Sequence, residues 1–547
     1  MSFISNFVGF TKKSDLSKLG KSDTMNMFVT TTDATEHAFQ KILKPMPGYE
    51  NLNIDVPGEP QGTYRVSRGE DGVPVVYGVW GGKLYLIIQE NGRTTATHIG
   101  TLANSTGKCT FAETSGYGKT APHLCVCDGT GVYAVNTTLP KAGQIADFRT
   151  IKLPYEYGTD KEATPKYPIR ASYICYLYGY LLVGAKDHTG ADTDIFYRSY
   201  QYPFENTTSG GIDYDILMAE TTSETEGYGK WTMSEWQPDN TLIGCANGSR
   251  FFTFGQRSFQ VFTWQDSITT PFTSPDTASF LIGIKNRDSL ALFGSQVFWL
   301  GAADAGDGVV YTMTGDASPQ RISTDEIEAI IKKQDSTNMD AYVFRYEGHP
   351  FYVMRFKGGS GDNGETLVYD IREQGWTRMG SYDGDLEDIG CFRYTSPTYL
   401  TDGTLVFQEA GTLVKASQEH WWEHDGTPIP RFRVGGVLSS DNKVFKINSL
   451  KFLTNNGDYG SSYYEGDTNN EEPHILFSFA KNGEDIEDTA GDVEEIFLGY
   501  TGYYDYDLVI KGLGKATYLS IKVQCDCNIP FAIYGMDISA TPCNSRY

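Results

Sequence analysis

The sequence predicts an all-β protein built on a β-propeller of six or seven blades, with an N-terminal arm and a C-terminal β-sandwich-like domain. Three observations carry this. A strand phrase recurs, in which a Gly or a turn precedes four to six apolar and aromatic residues: Gly82 to Ile88, Gly131 to Val135, Gly179 to Val183, Arg250 to Phe254, Gln296 to Leu300, His349 to Val353 and Gly403 to Phe407. Its starts, near 82, 131, 179, 248, 294, 348 and 403, are spaced as in a repeat of several short strands per unit. The 59 glycines and 36 tyrosines suit turn-rich strands faced with aromatic rings, and no long run keeps a helical period.

Residues 1–50 read as a docking arm. The first 21 carry four lysines against one aspartate, and such a terminus frays unless it is tied to its own body or to a partner. Residues 51–430 read as the propeller. Its hairpins are marked by Asp71-Gly72, Asp128-Gly129, Asn247-Gly248, Asp307-Gly308 and Asp402-Gly403, where a residue with positive φ tightens the turn. The wide gap between the third and fourth phrases holds a polar, Gly-rich insertion near 205–230. One helix is expected, with Ser323-Thr324-Asp325-Glu326 as a capping box before Ile327, ending near Lys333. Residues 431–547 read as the acidic sandwich, with alternating strands separated by acidic or Gly-rich turns.

The formal charge is −24, which argues against duplex binding, since affinity for DNA is built from cations neutralising phosphates. Residues 451–510 hold fourteen carboxylates and two lysines: a solvated acidic face, or a wall that must not adhere to a polyanion. Nine cysteines suit buried free thiols in a reducing cytosol better than a disulfide scaffold, Cys125 with Cys127 and Cys525 with Cys527 included. Met1 to Lys13 shows no basic leader, and no apolar run reaches the ~20 residues of a membrane span. The expectation is a soluble protein without a cofactor or a metal.

Catalytic spellings are sought and do not fit. Gly359 to Gly364 has the letters of a dinucleotide loop but strands on both sides. Gly116 to Thr120 has the tail of a phosphate loop, with Glu113 where Gly is required. His420 and His424 lack the Glu a zinc-protease helix places between them, since 421 is Trp. No nucleophile elbow occurs. Asp370 with Glu373, or Asp385 with Glu387 and Asp388, could form a carboxylate pair, but in so acidic a chain such pairs arise by chance. Tyr369-Asp370 before Trp376 is the spelling of a kelch-like blade, with Trp packed between blades and Asp holding the turn.

Three stretches carry a resemblance. The first is Asn26 and Phe28 followed by Pro47-Gly48. The second is Val297 to Gly301 with Trp299, then Tyr311, Arg321 and Ser323. The third is His349 to Val353 leading to Tyr369, Asp370 and Trp376. In order and spacing the chain resembles the packaged-DNA stabilisation proteins, also called tail hub or nozzle proteins, of short-tailed bacteriophages. The C-terminal part departs from that pattern, with Lys481 to Glu484 and Leu498-Gly499 a thin echo of the family's strand.

The resemblance implies a non-enzymatic virion protein of the tail, assembled in the host cytoplasm. It implies a homohexameric ring below the portal and its adaptor, which extends the DNA channel, retains packaged DNA and carries tail fibres or spikes. Double-stranded DNA would pass without adhering, and Glu484, Asp485, Glu487, Asp488, Asp492, Glu494 and Glu495 are the candidate acidic lining of the lumen. The competing expectations are a propeller glycan hydrolase with carboxylates and tyrosines on its axis, and a lectin-like binding propeller with Trp and Tyr at its loop tips.

Overall fold

Each recurring phrase becomes one interior strand of one blade, and the described residues form seven blades. A computed structural model describes residues 2–5, 7–12, 22–32, 41–90, 92–115, 121–151, 153, 155–156, 167–199, 201, 230–232, 237–267, 271–275, 278–302, 308–315, 318–358, 363–383, 388–439, 443–459, 472–486 and 493–543. The insertion near 205–230 therefore lies outside the described residues, apart from its last residue.

Blade one comprises Pro60–Val66, Val75–Trp80, Lys83–Glu90 and Arg93–Thr101, and blade two Thr110–Glu113, His123–Cys127, Val132–Asn136 and Arg149–Ile151. Blades three to six follow in the same antiparallel order, opening with Arg170–Leu177, Thr241–Asn247, Ala291–Phe293 and Met339–Tyr346. The phrase is the third strand in blades one and two, and the second strand from Tyr180–Lys186 onward. Both positions are interior, paired on two sides and covered on two faces. That is why the phrase reads as a continuous apolar run rather than as an alternation.

Blade seven closes the ring with a strand from the other end of the propeller segment. Thr395–Tyr399, Leu405–Glu409 and Thr412–Ser417 are completed by Gly48–Asn51, with Ser417 opposite Gly48 and Val414 opposite Asn51. Gly48 is required there by space, since a Cβ on it would sit 1.9 Å from the carbonyl oxygen of His420. Closure of this kind removes the exposed edge that an open stack of blades would leave.

The described strands of residues 1–50 are tied to the chain's own body, one of the two dockings expected of the arm. Residues 1–50 also supply Ser2–Ser5, Met27–Thr31 and Lys41–Pro45 to a sheet with Phe445–Thr454, Leu508–Lys511 and Ile533–Pro542. That sheet packs on Arg431–Ser439, Tyr518–Cys525, His474–Lys481 and Glu494–Phe497. Met27, Val29, Phe452, Ile475, Phe477, Leu508, Ile521 and Ile538 form the core between the two.

The second layer does not end at the sandwich. Asp23–Met25 pairs in parallel with Gly375–Met379, the outer strand of blade six, and antiparallel with Arg431–Ser439. One nine-stranded sheet therefore runs from propeller to sandwich. Asn26 locks the crossing. It sits at φ 50°, a left-handed conformation that Asn tolerates better than most residues, and is 1% exposed. Its side-chain amide donates to the carbonyls of Gly380 and Pro430, both at 2.8 Å, and accepts from the Gly380 amide at 3.0 Å.

The predicted helix forms at Asp325–Ile331, one residue out of the expected cap. Thr324 is the N-cap and accepts from the Ile327 amide, while Ser323 instead bonds Glu328 at 2.7 Å and the Val310 amide at 2.9 Å. None of the helices among the described residues is long and apolar enough to cross a membrane.

Replacing Asn26 with Ala strands three buried backbone groups. It should lower stability by about 3 kcal/mol or more, read as a lower denaturant midpoint for the whole molecule. An unchanged midpoint would show that the crossing bears no load.

Candidate functional site

The residues singled out by sequence gather mainly around two junctions. At the propeller–sandwich crossing, Phe28 is fully buried against Tyr346, His349 and Phe351, with ring centroids at 6.0, 5.0 and 5.5 Å. Pro47 and Gly48 lead from this contact into blade seven. At the junction of blades five and six, Trp376 is buried, donates to the Ile322 carbonyl at 2.9 Å and packs on Tyr369 at 5.1 Å. Arg321 grips Asp325 and Glu328, the latter at 2.6 Å, and so ties the helix to the edge of blade five. Trp299 stacks on Tyr311, and Gly301 is left bare because a Cβ would meet the Tyr311 ring at 2.6 Å.

Asp370 holds its turn by accepting from the amides of Arg372 and Glu373 at 2.9 and 3.1 Å. Its other oxygen meets His349 Nδ1 at 2.8 Å, while His349 Nε2 lies 3.4 Å from the Thr30 hydroxyl. The three letters are those of a hydrolase triad. The imidazole is 1% exposed and flanked by the rings of Phe28 and Phe351, so no substrate atom reaches it. Glu373 is engaged by Thr31 rather than by a second carboxylate. Asp385 and Glu387 lie outside the described residues, as do Gly116 to Thr120.

A buried ion triad carries the crossing. Arg378 NH1 reaches Asp23 at 2.5 Å, and its Nε and NH2 fork onto Glu365 at 2.5 and 2.8 Å. Arg433 spans the same seam, donating to the carbonyls of Phe7 and Phe10 at 2.8 and 3.2 Å and to Thr24 Oγ1 at 2.8 Å. Burial pulls its guanidinium down to about 10.

Of the acidic candidates, Glu484, Glu494 and Glu495 are exposed and Asp485 half-exposed. Glu494 and Glu495 sit on the outermost strand of the nine-stranded sheet, away from the propeller axis. Glu487, Asp488 and Asp492 lie outside the described residues. Beside them stands an aromatic patch absent from the sequence reading. Tyr504 is 70% exposed, with Tyr503 and Tyr506 partly exposed around Phe497 and Tyr500.

The propeller axis is not an open duct. Bonds pass between neighbouring blades around it: Thr63 to the Ser396 carbonyl at 2.7 Å, Thr395 to Asp340 at 2.6 Å, Tyr352 to the Ser289 carbonyl at 2.8 Å, and the Ile174 amide to Thr110 Oγ1 at 3.0 Å. Others pass between blades that are not neighbours. Lys108 Nζ, at the start of blade two, donates to the Ala341 carbonyl of blade six at 2.7 Å. Arg287, entering blade five, donates to the Ser172 carbonyl of blade three at 2.8 Å. The space left between them is a cavity of about 520 Å³, the size of a small-molecule site and far too small for a duplex. Neither Lys108 nor Arg287 was marked by the sequence reading, since a single cation before a short strand has no motif.

The architecture is thus that of a closed propeller welded to a sandwich, with the residues singled out by sequence spent mainly on junctions. Residues 170–389, which are blades three to six and the turn beyond, match the family model described as Phage_stabilise: Bacteriophage P22 Gp10, beta-propeller. No curated protein matches the chain. Among solved structures the chain is similar to the Neurospora crassa Pan2 WD40 domain, at 9% identity, with 68% of this chain and 96% of that one covered and a TM-score of 0.35. It is similar also to a fungal alcohol oxidase of the AA5 family in complex with copper, at 11% identity, with 88% and 98% covered and a TM-score of 0.38. At such scores neither says anything of what this chain does.

Behind blade seven, Glu423 is fully buried with Ser381 donating to it at 2.8 Å, and burial pushes its carboxyl up to about 7. The folded state therefore binds this proton more tightly than the unfolded chain. The stabilisation is complete below the ordinary value of 4.5 and is lost as pH rises to about 7. Glu423→Gln, which stays neutral, should raise the melting point at pH 8, by about 2 kcal/mol in stability, and change it little at pH 5. Equal effects at both pH values would refute the titration.

Proposed function

We propose that this chain is a structural component of a phage virion, a tail hub or nozzle. Six copies would form a ring below the portal and adaptor, extending the DNA channel and presenting outer surfaces to fibres or spikes. The observation that carries the reading is the family match over blades three to six, a propeller family of phage P22. The mechanics support it. A closed ring of blades joined to a sandwich by one continuous sheet transmits force without a hinge. The axis of each propeller is crossed by side chains, so the channel for DNA lies between copies and not through any one of them.

The chemistry of the chain suits that passage. A formal charge of −24, from 69 carboxylates against 45 lysines and arginines and multiplied by a ring, repels phosphate. The chain works as scaffold and conduit and not as an enzyme. Electron microscopy of the chain assembled with portal and adaptor should show a sixfold ring with the sandwich carboxylates toward the lumen. A chain that stays solitary with those partners present overturns the reading.

Charge reversal tests the lumen directly. Glu484, Glu494 and Glu495 changed together to Lys should slow DNA ejection from assembled particles, and added salt should relieve the delay. Ejection at the original rate would place these residues away from the DNA path.

A further inference from the structure

The innermost strands of blades one to five and the short turn at Arg287–Ser289 enclose the axial cavity of about 520 Å³. Two of its features are out of character with the rest of the molecule. The first is charge. In a chain of −24, the charged residues on its lining balance, Lys108 and Arg287 against Glu113 and Asp288, with Asp340, Arg355 and Lys357 close to Lys108 outside the lining.

The three carboxylates are already engaged. Glu113 accepts from the Ser67 amide at 2.9 Å and from its hydroxyl at 2.6 Å. Asp340 takes Arg355 NH1 at 3.2 Å, Lys357 at 3.4 Å and the Thr395 hydroxyl at 2.6 Å. Asp288 lies 3.7 Å from Arg287 Nε. Lys108 is left with one backbone carbonyl, and among the described residues it forms no ion pair of its own. Burial pulls its ammonium below the ordinary value. Asp288 and Asp340 attract it only from beyond contact distance. A desolvated cation with no counter-ion in contact is costly, and an anion supplied from outside would relieve that cost.

The second feature is the remaining wall. Tyr64 and Phe111 stack at 5.8 Å with planes 20° apart, and Ile174, Ile243 and Leu290 add apolar surface beside the polar side chains of Thr63 and Thr110. Leu292, also on the lining, is 41% exposed, so the cavity meets solvent. The pocket thus offers one ammonium without a contact ion pair and a mixed wall with an aromatic face, at drug-like size. Asp288 and Asp340 stay in place, which disfavours a dianion such as phosphate.

From this we infer that the propeller axis is a binding site for a monoanionic carboxylate borne on an aromatic or aliphatic body, held at Lys108 and seated against Tyr64 and Phe111. Two sources share that chemistry: a free small acid, or the C-terminal residue of a partner polypeptide. This site is independent of the ring, because it lies within one copy.

Calorimetry on the intact chain tests it, with 4-bromophenylacetate, its neutral amide, acetyl-Gly-Phe with a free C-terminus, and inorganic phosphate as probes. At least one of the two carboxylates should bind saturably, with the amide at least tenfold weaker and phosphate not bound. A tighter peptide names a partner's tail as the source, and a tighter bromoacid names a small molecule. Lys108→Met should weaken carboxylate binding at least tenfold. Should that variant fail to fold, the bromine position in crystals of the unaltered chain decides: a peak between Lys108 and Tyr64 upholds the site. No carboxylate binding, equal binding of acid and amide, or bromine elsewhere overturns it. None of these outcomes bears on ring formation.

Discussion

The three-residue strand Asp23–Met25 is the constraint on which the architecture depends. On one side it pairs with blade six and on the other with the sandwich. Arg378, held by two carboxylates at once, fixes its position from within. A buried arginine is affordable only with its charge met and its donors filled, and removing one partner of such a set typically costs about 3–5 kcal/mol. The forked geometry onto Glu365 and the single contact to Asp23 require one register and no other. The register in turn sets where Asn26 falls, and Asn26 is the residue whose amide fits the carbonyls of both units.

Edge management explains why the chain starts its work at one unit and finishes in the other. A propeller closed on itself still leaves the outer strand of each blade with one unpaired side. In blade six that side is Gly375–Met379, and the protein uses it as a template for Asp23–Met25. The strand that follows, Met27–Thr31, belongs to the opposite sandwich sheet, and Gly48–Asn51 completes blade seven. Thirty residues thus stitch three sheets together. Each seam is closed by contacts more than 300 positions apart, such as Asn26 to Gly380 and Ser417 to Glu50.

Those separations mark the limit of what the sequence discloses. The interior strands were legible because burial on both faces writes a dense apolar run, repeated seven times. Trp376 and Asp370 were legible because a blade junction and its turn use fixed residue types at fixed offsets. The first fifty residues were not, because their strands are short, their partners are distant and their pattern has no period. The cap at Thr324 in place of Ser323 turns on which hydroxyl faces the Ile327 amide, and two adjacent hydroxyl residues spell both answers. Lys108 and Arg287 were invisible for a simpler reason: only closure of the ring brings them to one axis.

That closure also sorts charge by position. The exposed carboxylates of Glu484, Glu494 and Glu495 stand in water, where screening makes them cheap and their joint field acts at range. The cations of Lys108, Arg355 and Arg378 are turned inward, where each works as a strut between blades or sheets. Other cations, such as Arg65, Lys83 and Lys446, stand exposed, so sequestration is a property of these struts and not of the chain's positive charge as a whole. The same sequestration leaves one ammonium short of a counter-charge, because a ring of first strands supplies backbone carbonyls in plenty and carboxylates only where a side chain can reach the axis.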